Sequence, residues 1–361
     1  MFPAAMKRYQ MKIFRLFAES SNADRFLGNW RQIMAVVACV LFCQLASANC
    51  MDGRRMVGVN LSGAEFAADK LPGTYAQDYI YPDVTEMSHF QTDGMNTFRL
   101  PFLWERIQPQ LFSPLDPAEL QRIVDAVAAA RSLGMCIILD VHNFGQYRGQ
   151  PLNSAAVPAW ALTDLWVRLL NAFNDPANVA FDLMNEPAYM SIGDWANAAQ
   201  NTLNVLRLYG ARHLVLVAGG SWSGAHSWYA KSNGISNADA FQSFQDPANN
   251  YMIEVHQYAD ADFSGTGDSC VDPASLSAIM ANITQWANTT QKRLFLGEFG
   301  VPDNAPCLSA LSAIVNGAGS SPVWGGWTYW AAGAWLATYP FTIQPDANGD
   351  KPQMAILKNG M

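Results

Sequence analysis

The chain has 361 residues, half of them hydrophobic, with 14% charged residues and a formal net charge of −8. Such a length buries a large core in one domain or two, and an acidic chain with no basic run in its body excludes nucleic acid as a partner. Its twelve tryptophans and twelve tyrosines mostly pack core and rim, but flat rings beyond that need are good platforms for sugars.

At the N-terminus, Lys7, Arg8, Lys12, Arg15, Arg25 and Arg31 precede the apolar run 33–45, IMAVVACVLFCQL, and then ASA at 46–48. Basic flank, apolar centre and small-residue site make a secretory signal peptide with cleavage after Ala48. The apolar run is too short to span a bilayer, which takes about 20 residues. Residues 1–48 are therefore expected to be an extension and leader, and 49–361 one exported catalytic domain. The mature protein is expected to be a secreted monomer with no stable membrane association. Cleavage removes Cys39 and Cys43 and leaves Cys50, Cys136, Cys270 and Cys307. Four cysteines in an exported chain suggest two disulfides, with three possible connectivities. Cys270 and Cys307, both in Gly/Asp/Pro-rich loops, are the favoured pair; Cys136 opens a strand and also reads as a buried thiol. No C-x-x-C pair or histidine spacing points to zinc, and no metal or cofactor is expected.

Short apolar runs then recur: MVGVN (56–60), MNTFRLP (95–101), MCIILDVH (135–142), VAFDLMNEP (179–187), HLVLVAG (213–219), YMIEVHQY (251–258), RLFLGEFG (293–300) and VWGGWTYW (323–330). Each reads as a parallel strand covered on both faces. Amphipathic helical stretches separate them, at 117–134, 164–173, 194–210 and 274–291, the first with proline near its start and Gly134 past its end. Eight strand–helix units predict an α/β fold, a single (β/α)8 barrel. A doubly wound open sheet is the rival, but no G-x-G-x-x-G follows the first strand.

In such a barrel, chemistry sits at the C-terminal ends of the strands. Those ends deliver Arg99, His142 and Asn143, Asn185 and Glu186, His256 and Tyr258, Glu298, and Trp330. Each alone has an ordinary structural reading: an ion-pair partner, a hydrogen-bonded histidine, a turn or cap residue. Jointly that reading weakens, because a barrel sets the tips of its fourth and seventh strands across a narrow mouth. Two opposed glutamates equip a protein for glycoside hydrolysis, one protonating the leaving oxygen while the other attacks the anomeric carbon. Arg99 can hold one carboxylate ionised, and Tyr258 can hydrogen-bond it without competing as a base.

The motifs FDLMNEP, LGEFG, FRLP, LDVHN and VHQY, with the Trp330 region, resemble glycoside hydrolase family five, clan-A barrel enzymes that include many cellulases. The resemblance runs from about Met56 to the C-terminus, and GVNLSGAEF is similar to the first strand of the secreted endo-β-1,4-glucanases. It implies that Glu186 is the general acid/base and Glu298 the nucleophile. Asn185 would then bond the sugar 2-hydroxyl, Arg99 and Tyr258 would position Glu298, His142 and His256 would line the catalytic subsite, and Trp330 would form its floor. Trp222, in GGSWSGAHSW, resembles a substrate platform; Trp104 and Phe66 are weaker candidates, and His226 and Trp228 are unassigned. One departure is Gly297, where many members carry another residue before the nucleophile, a difference expected to concern backbone approach more than chemistry. The implied activity is a retaining, metal-independent endo-β-1,4-glucanase acting on β-1,4-glucan. A β-mannanase or xyloglucanase is the alternative within the family, and a non-catalytic carbohydrate-binding barrel the alternative outside it.

Overall fold

The computed structural model of the chain describes Cys50 and residues 54–361; the leader expected over residues 1–48 lies outside them. The apolar runs form eight parallel strands: β1 (Met56–Leu61), β2 (Thr97–Phe102), β3 (Cys136–Val141), β4 (Val179–Asp182), β5 (Val215–Ala218), β6 (Tyr251–His256), β7 (Leu294–Glu298) and β8 (Trp324–Ala332). Each pairs with its neighbour in sequence and the last pairs with the first, which closes the expected barrel. The helices that follow them include α1 (Val84–Thr92), α2 (Pro117–Ser132), α3 (Trp160–Ala172), α4 (Ile192–Leu208), α5 (Asn237–Ala240), α6 (Pro273–Thr290), α7 (Ala305–Gly319) and α8 (Gln353–Asn359), with one further turn of helix at Trp104–Ile107 after β2. Among the described residues, no helix is long and apolar enough to cross a membrane.

Local chemistry sets the ends. Asp116 and Asp272 each accept backbone N–H groups at a helix start whose first residue is proline, Pro117 and Pro273. Gly134, at φ 67°, turns the chain out of α2. β4 is shorter than its apolar run: regular pairing stops at Asp182, and Glu186 takes a left-handed φ of 42° before Pro187, which has no N–H to give.

Register puts Asn60 beside Arg99, Arg99 beside Ile138, Asp140 beside Asp182, and Ala218 beside Glu254. Because alternate residues share a face, the barrel interior separates into two levels. Met56, Ile138, Ala180, Leu216, Met252 and Phe295 cluster in an apolar plug. Above it, toward the strand tips, the inward positions become Asn60, Arg99, Asp140, Asp182 and Glu254, all fully buried. The opposite faces of the strands pack into the main core beneath the helices.

Both disulfides form. Cys270 pairs with Cys307 as expected, and Cys136 pairs with Cys50 rather than standing as a free buried thiol. The mouth of β3 carries a short hairpin, Gln146–Tyr147 against Gln150–Pro151.

Candidate active site

Arg99 is the hub of the charged level. Its Nη1 donates to Glu298 Oε1 (2.8 Å) and to Asn60 Oδ1 (3.0 Å), its Nη2 to Asn185 Oδ1 (2.8 Å), and its Nε to Asp182 Oδ2 (2.9 Å). Asp140 at 3.1 Å and Glu254 at 3.2 Å complete a ring of four carboxylates about one guanidinium. A buried cation is retained only when paired and hydrogen-bonded, and Arg99 is overcompensated. The surplus is relieved between Asp182 and Glu254: Asp182 Oδ1 and Glu254 Oε2 both lack a donor, and a proton held on Asp182 and shared with Glu254 supplies one. Burial and the Glu254 charge push the Asp182 carboxyl well above the carboxylate range. Burial also opposes ionisation of Glu254, but Arg99 and His256 prevail and bring it down to about 2.

Glu186 and Glu298 face each other across the mouth. One carboxyl oxygen of each, together with a ring nitrogen of His256, lies within 4.8 Å of the other two atoms. Tyr258 donates its hydroxyl to Glu298 Oε2 at 2.8 Å. Burial works against the charge on Glu298, but His256, Arg99 and the Tyr258 hydroxyl outweigh it and hold its carboxyl below the ordinary range. Glu186 goes the other way. Burial raises its pKa and Glu298 adds to the rise, only partly offset by His256. Two carboxyl groups in one site are thus driven apart in proton affinity.

His256 Nδ1 lies 2.7 Å from Glu186 Oε1 and 3.7 Å from Glu298 Oε2, while its Nε2 faces Glu254 Oε1 at 3.2 Å. A carboxyl oxygen thus occupies each ring nitrogen of His256, so neither is open to a metal. The other described cluster with ligating side chains, His89, Asp93 and Asp350, gives its further oxygens to Lys358, at 2.7 and 2.8 Å.

On the opposite wall, His142 Nδ1 donates to Asp140 at 2.7 Å and its Nε2 meets Asn185 Nδ2 at 3.3 Å. Arg99 fixes the oxygen end of that amide, so Asn185 presents N–H to the ring and His142 is neutral here, although Asp140 outweighs burial and raises its basicity. The second N–H of the Asn185 amide remains for a ligand. Trp330 stacks on His142, with centroids 5.4 Å apart and planes 15° from parallel.

Of the expected platforms, Trp222 stands at the rim, 49% exposed. It lies in three consecutive left-handed residues, Ser221, Trp222 and Ser223. The strain is held by hydrogen bonds at both ends, from Ser221 N to Pro187 O and from Ser223 Oγ to Glu254 O. Strained backbone persists only where its surroundings over-determine it. Tyr189 meets the Trp222 ring edge-on at 6.0 Å. Trp104 is no platform: it is fully buried, its indole N–H given to Gln108. Phe66 lies 6.4 Å from Trp335, a partly exposed rim tryptophan that sequence reading passed over. Trp228 is buried against Trp286, and His226 stacks on Phe263. Asn143 accepts from Trp104 N and donates to Glu105, so its amide is held by these two partners.

Two cavities flank the glutamates. One, of about 560 Å³, is lined by Glu186, Trp222, His226, His256, Tyr258 and Phe263. The other, of about 590 Å³, is lined by Glu65, Leu103, His142, Phe144, Arg148 and Tyr189.

A closed barrel with a cleft at its strand tips, crossed by opposed glutamates of divergent proton affinity, has the form of a barrel glycosidase. The profile of the Cellulase (glycosyl hydrolase family 5) family matches residues 59–333. Endo-β-1,4-glucanase B of Aspergillus niger is 33% identical over 290 residues, covering 80% of this chain and 84% of that protein. The Emericella nidulans endo-β-1,4-glucanase B is 32% identical over 296 residues, covering 81% and 87%. Among solved structures, the endo-β-1,4-glucanase Xac0029 of Xanthomonas axonopodis pv. citri superposes with a TM-score of 0.83 at 46% identity, over 85% of this chain and 98% of that one. XacCel5A in complex with cellopentaose gives 0.83 at 48% identity, over 85% and 99%. The chain belongs to glycosyl hydrolase family 5, the cellulase family.

Proposed function

We propose that the protein is a secreted, monomeric, metal-independent endo-β-1,4-glucanase that cleaves internal bonds of β-1,4-glucan with retention of configuration. The observation that carries this reading is the opposition of Glu186 and Glu298 with oxygens within 4.8 Å and proton affinities pushed in opposite directions. Inversion needs carboxyl groups roughly 6.5–9.5 Å apart to admit a water, whereas direct attack needs about 5–5.5 Å.

In this reading Glu298, kept ionised by Arg99 and Tyr258, attacks the anomeric carbon while protonated Glu186 gives its proton to the departing glycosidic oxygen. The glycosyl–Glu298 ester forms as the glycosidic bond breaks. Glu186, now a carboxylate, takes a proton from water; the resulting hydroxide equivalent attacks the same carbon and releases Glu298. The free N–H of Asn185 bonds the 2-hydroxyl, and Trp330, backed by His142, is the apolar floor beneath the sugar. Trp222 stacks on a unit beyond the scissile bond. Cavities on both sides of the pair support binding in the middle of a chain, and the cellopentaose complex of a 48% identical neighbour supports a β-1,4-linked ligand.

A panel of carboxymethylcellulose, mixed-linkage glucan, xyloglucan and mannan tests the substrate, with the glucans preferred; faster release from mannan or xyloglucan overturns that choice. Proton NMR of the first product should show the β-anomer, and chelator should leave the rate unchanged. Export with cleavage after Ala48 predicts a mature chain beginning at Asn49, read by N-terminal sequencing.

A further inference from the structure

Glu254 is a buried carboxylate that the double-displacement reading does not use. It points into the barrel from β6, two residues before His256, and is fully buried. Its Oε1 lies 3.2 Å from His256 Nε2 and 3.2 Å from Arg99 Nε. Space for it is made by Gly297: a Cβ there would stand 1.7 Å from Glu254 Oε1. The missing side chain before Glu298 is therefore tied to the charge beneath the site, where the sequence had suggested backbone approach more than chemistry.

We propose that Glu254 is a positioning residue: it is the standing counter-charge that keeps His256 protonated on both nitrogens and its Nδ1–H directed at Glu186. Geometry selects Glu254 for this task among the three carboxyl groups around the ring. Glu186 and Glu298 both change charge in the reaction, Glu186 by giving and regaining a proton and Glu298 by forming an ester. Glu254 does neither. It is buried away from substrate, and Asp182, holding a proton of its own, hydrogen-bonds it from β4. When Glu298 is esterified, Glu186 is the carboxylate about to take a proton and Glu254 is the one whose charge has not changed, so His256 stays cationic beside Glu186. That cation favours the carboxylate Glu186 must be when it accepts a proton from water. The groups facing this relay are Arg99 from β2, Asp140 and His142 from β3, Asp182 and Glu186 from β4 and the turn after it, Tyr258 beyond β6, and Glu298 from β7. β5, Val215–Ala218, adds no titratable side chain.

The inference rests on the glucanase reading for its consequence in catalysis but not for its first test. In enzyme labelled with ¹⁵N-histidine, with His256→Asn used for assignment, the His256 ring nitrogens of the wild type should stay in the imidazolium range well past the pH at which an ordinary histidine loses its proton. In Glu254→Gln, which keeps shape and hydrogen bonding while removing the charge, the ring should lose its proton roughly one to three units lower, the size of shift an adjacent opposite charge produces. The same titration in both proteins overturns the proposal. The second readout is the basic limb of kcat/KM, which reports Glu186. Loss of the His256 charge moves it up in Glu254→Gln. A limb that stays put marks a packing role, and one that moves down marks only the loss of a negative charge; either overturns the proposal. Failure of the glucanase reading shows separately, as a wild type that releases no sugar from any β-glucan and leaves the NMR comparison intact. Gly297→Ala, which crowds out the Glu254 carboxylate, should reproduce the NMR shift.

Discussion

Arg99 Nη1 sits 2.8 Å from Glu298 Oε1, with the guanidinium fully buried and the carboxylate nearly so. The same guanidinium holds the oxygen of Asn185, so one side chain fixes both the charge of Glu298 and the direction of the amide beside Glu186. Arg99→Met should therefore be worse than the loss of a contact. It strands Glu254 and Glu298 in the barrel with no cation on this side, and breaking a buried ion pair from one side costs about 3–5 kcal/mol. Urea denaturation should show a loss of that order, or no soluble protein. Arg99→Lys, which keeps the charge but not the fork, should fold and lose most activity.

Glu186→Gln and Glu298→Gln should each lower kcat on cellulose by about 10²-fold or more, the range of a lost general acid, while circular dichroism and Tm stay near wild type. A variant of either kind retaining near-full turnover would show that the pair is not the catalytic one. The pH profile of kcat/KM gives the direction. As the proposed nucleophile Glu298 works ionised and its carboxyl is held low, so the acid limb should fall below the ordinary glutamate value of about 4.3. As the proposed general acid Glu186 works protonated and its carboxyl is held high, so the basic limb should lie above that value and vanish in Glu186→Gln.

How legible was this in the sequence? The barrel and the strand-tip residues were, because parallel strands covered on both faces leave continuous apolar runs and polar residues at their ends stand out. The level below was not. Asp140, Asp182 and Glu254 lie inside LDVH, FDLM and IEVH, in plain view as single carboxylates in apolar runs. Reading only the tips passed over them, and no spacing rule says that three such carboxylates meet one arginine. α1 and α7 were also missed. The first is short and polar, VTEMSHFQT; the second is small and apolar all round, APCLSALSAIVNGAG. Neither has the one-sided pattern that betrays a surface helix. Cys50 was unassignable because pairing depends on where β3 begins in space.

Trp222→Ala should raise KM for cello-oligosaccharides with a smaller effect on kcat. Covering about 50 Å² of ring at about 25 cal/mol per Å² is worth ~1.3 kcal/mol, close to tenfold. The rise should be larger for cellopentaose than for cellotriose. Equal changes in both would place Trp222 off the substrate path.

Reduction should be costly because Cys50–Cys136 spans 86 residues and ties the start of the described chain to the floor of the barrel. The chain-entropy estimate for a loop of that length is about 4–5 kcal/mol. A Cys50→Ser/Cys136→Ser double variant should lose a Tm increment larger than Cys270→Ser/Cys307→Ser, whose loop spans 37 residues. Differential scanning calorimetry of the two variants decides the order.

Glu86, in the first turn of α1, offers a pH test away from the site. Burial, with Asp83 adding to it, pushes its carboxyl up to about 7, and its Oε1 finds no donor. The folded value lies above the unfolded value of about 4.3, so the neutral form is the one the fold accommodates. The stability it contributes is fully present below the unfolded value and is lost as pH rises through about 7. Glu86→Gln, permanently neutral, should therefore match wild-type Tm at pH 4 and exceed it at pH 8. A Tm difference that is the same at both pH values would mean that Glu86 ionises freely in the folded protein.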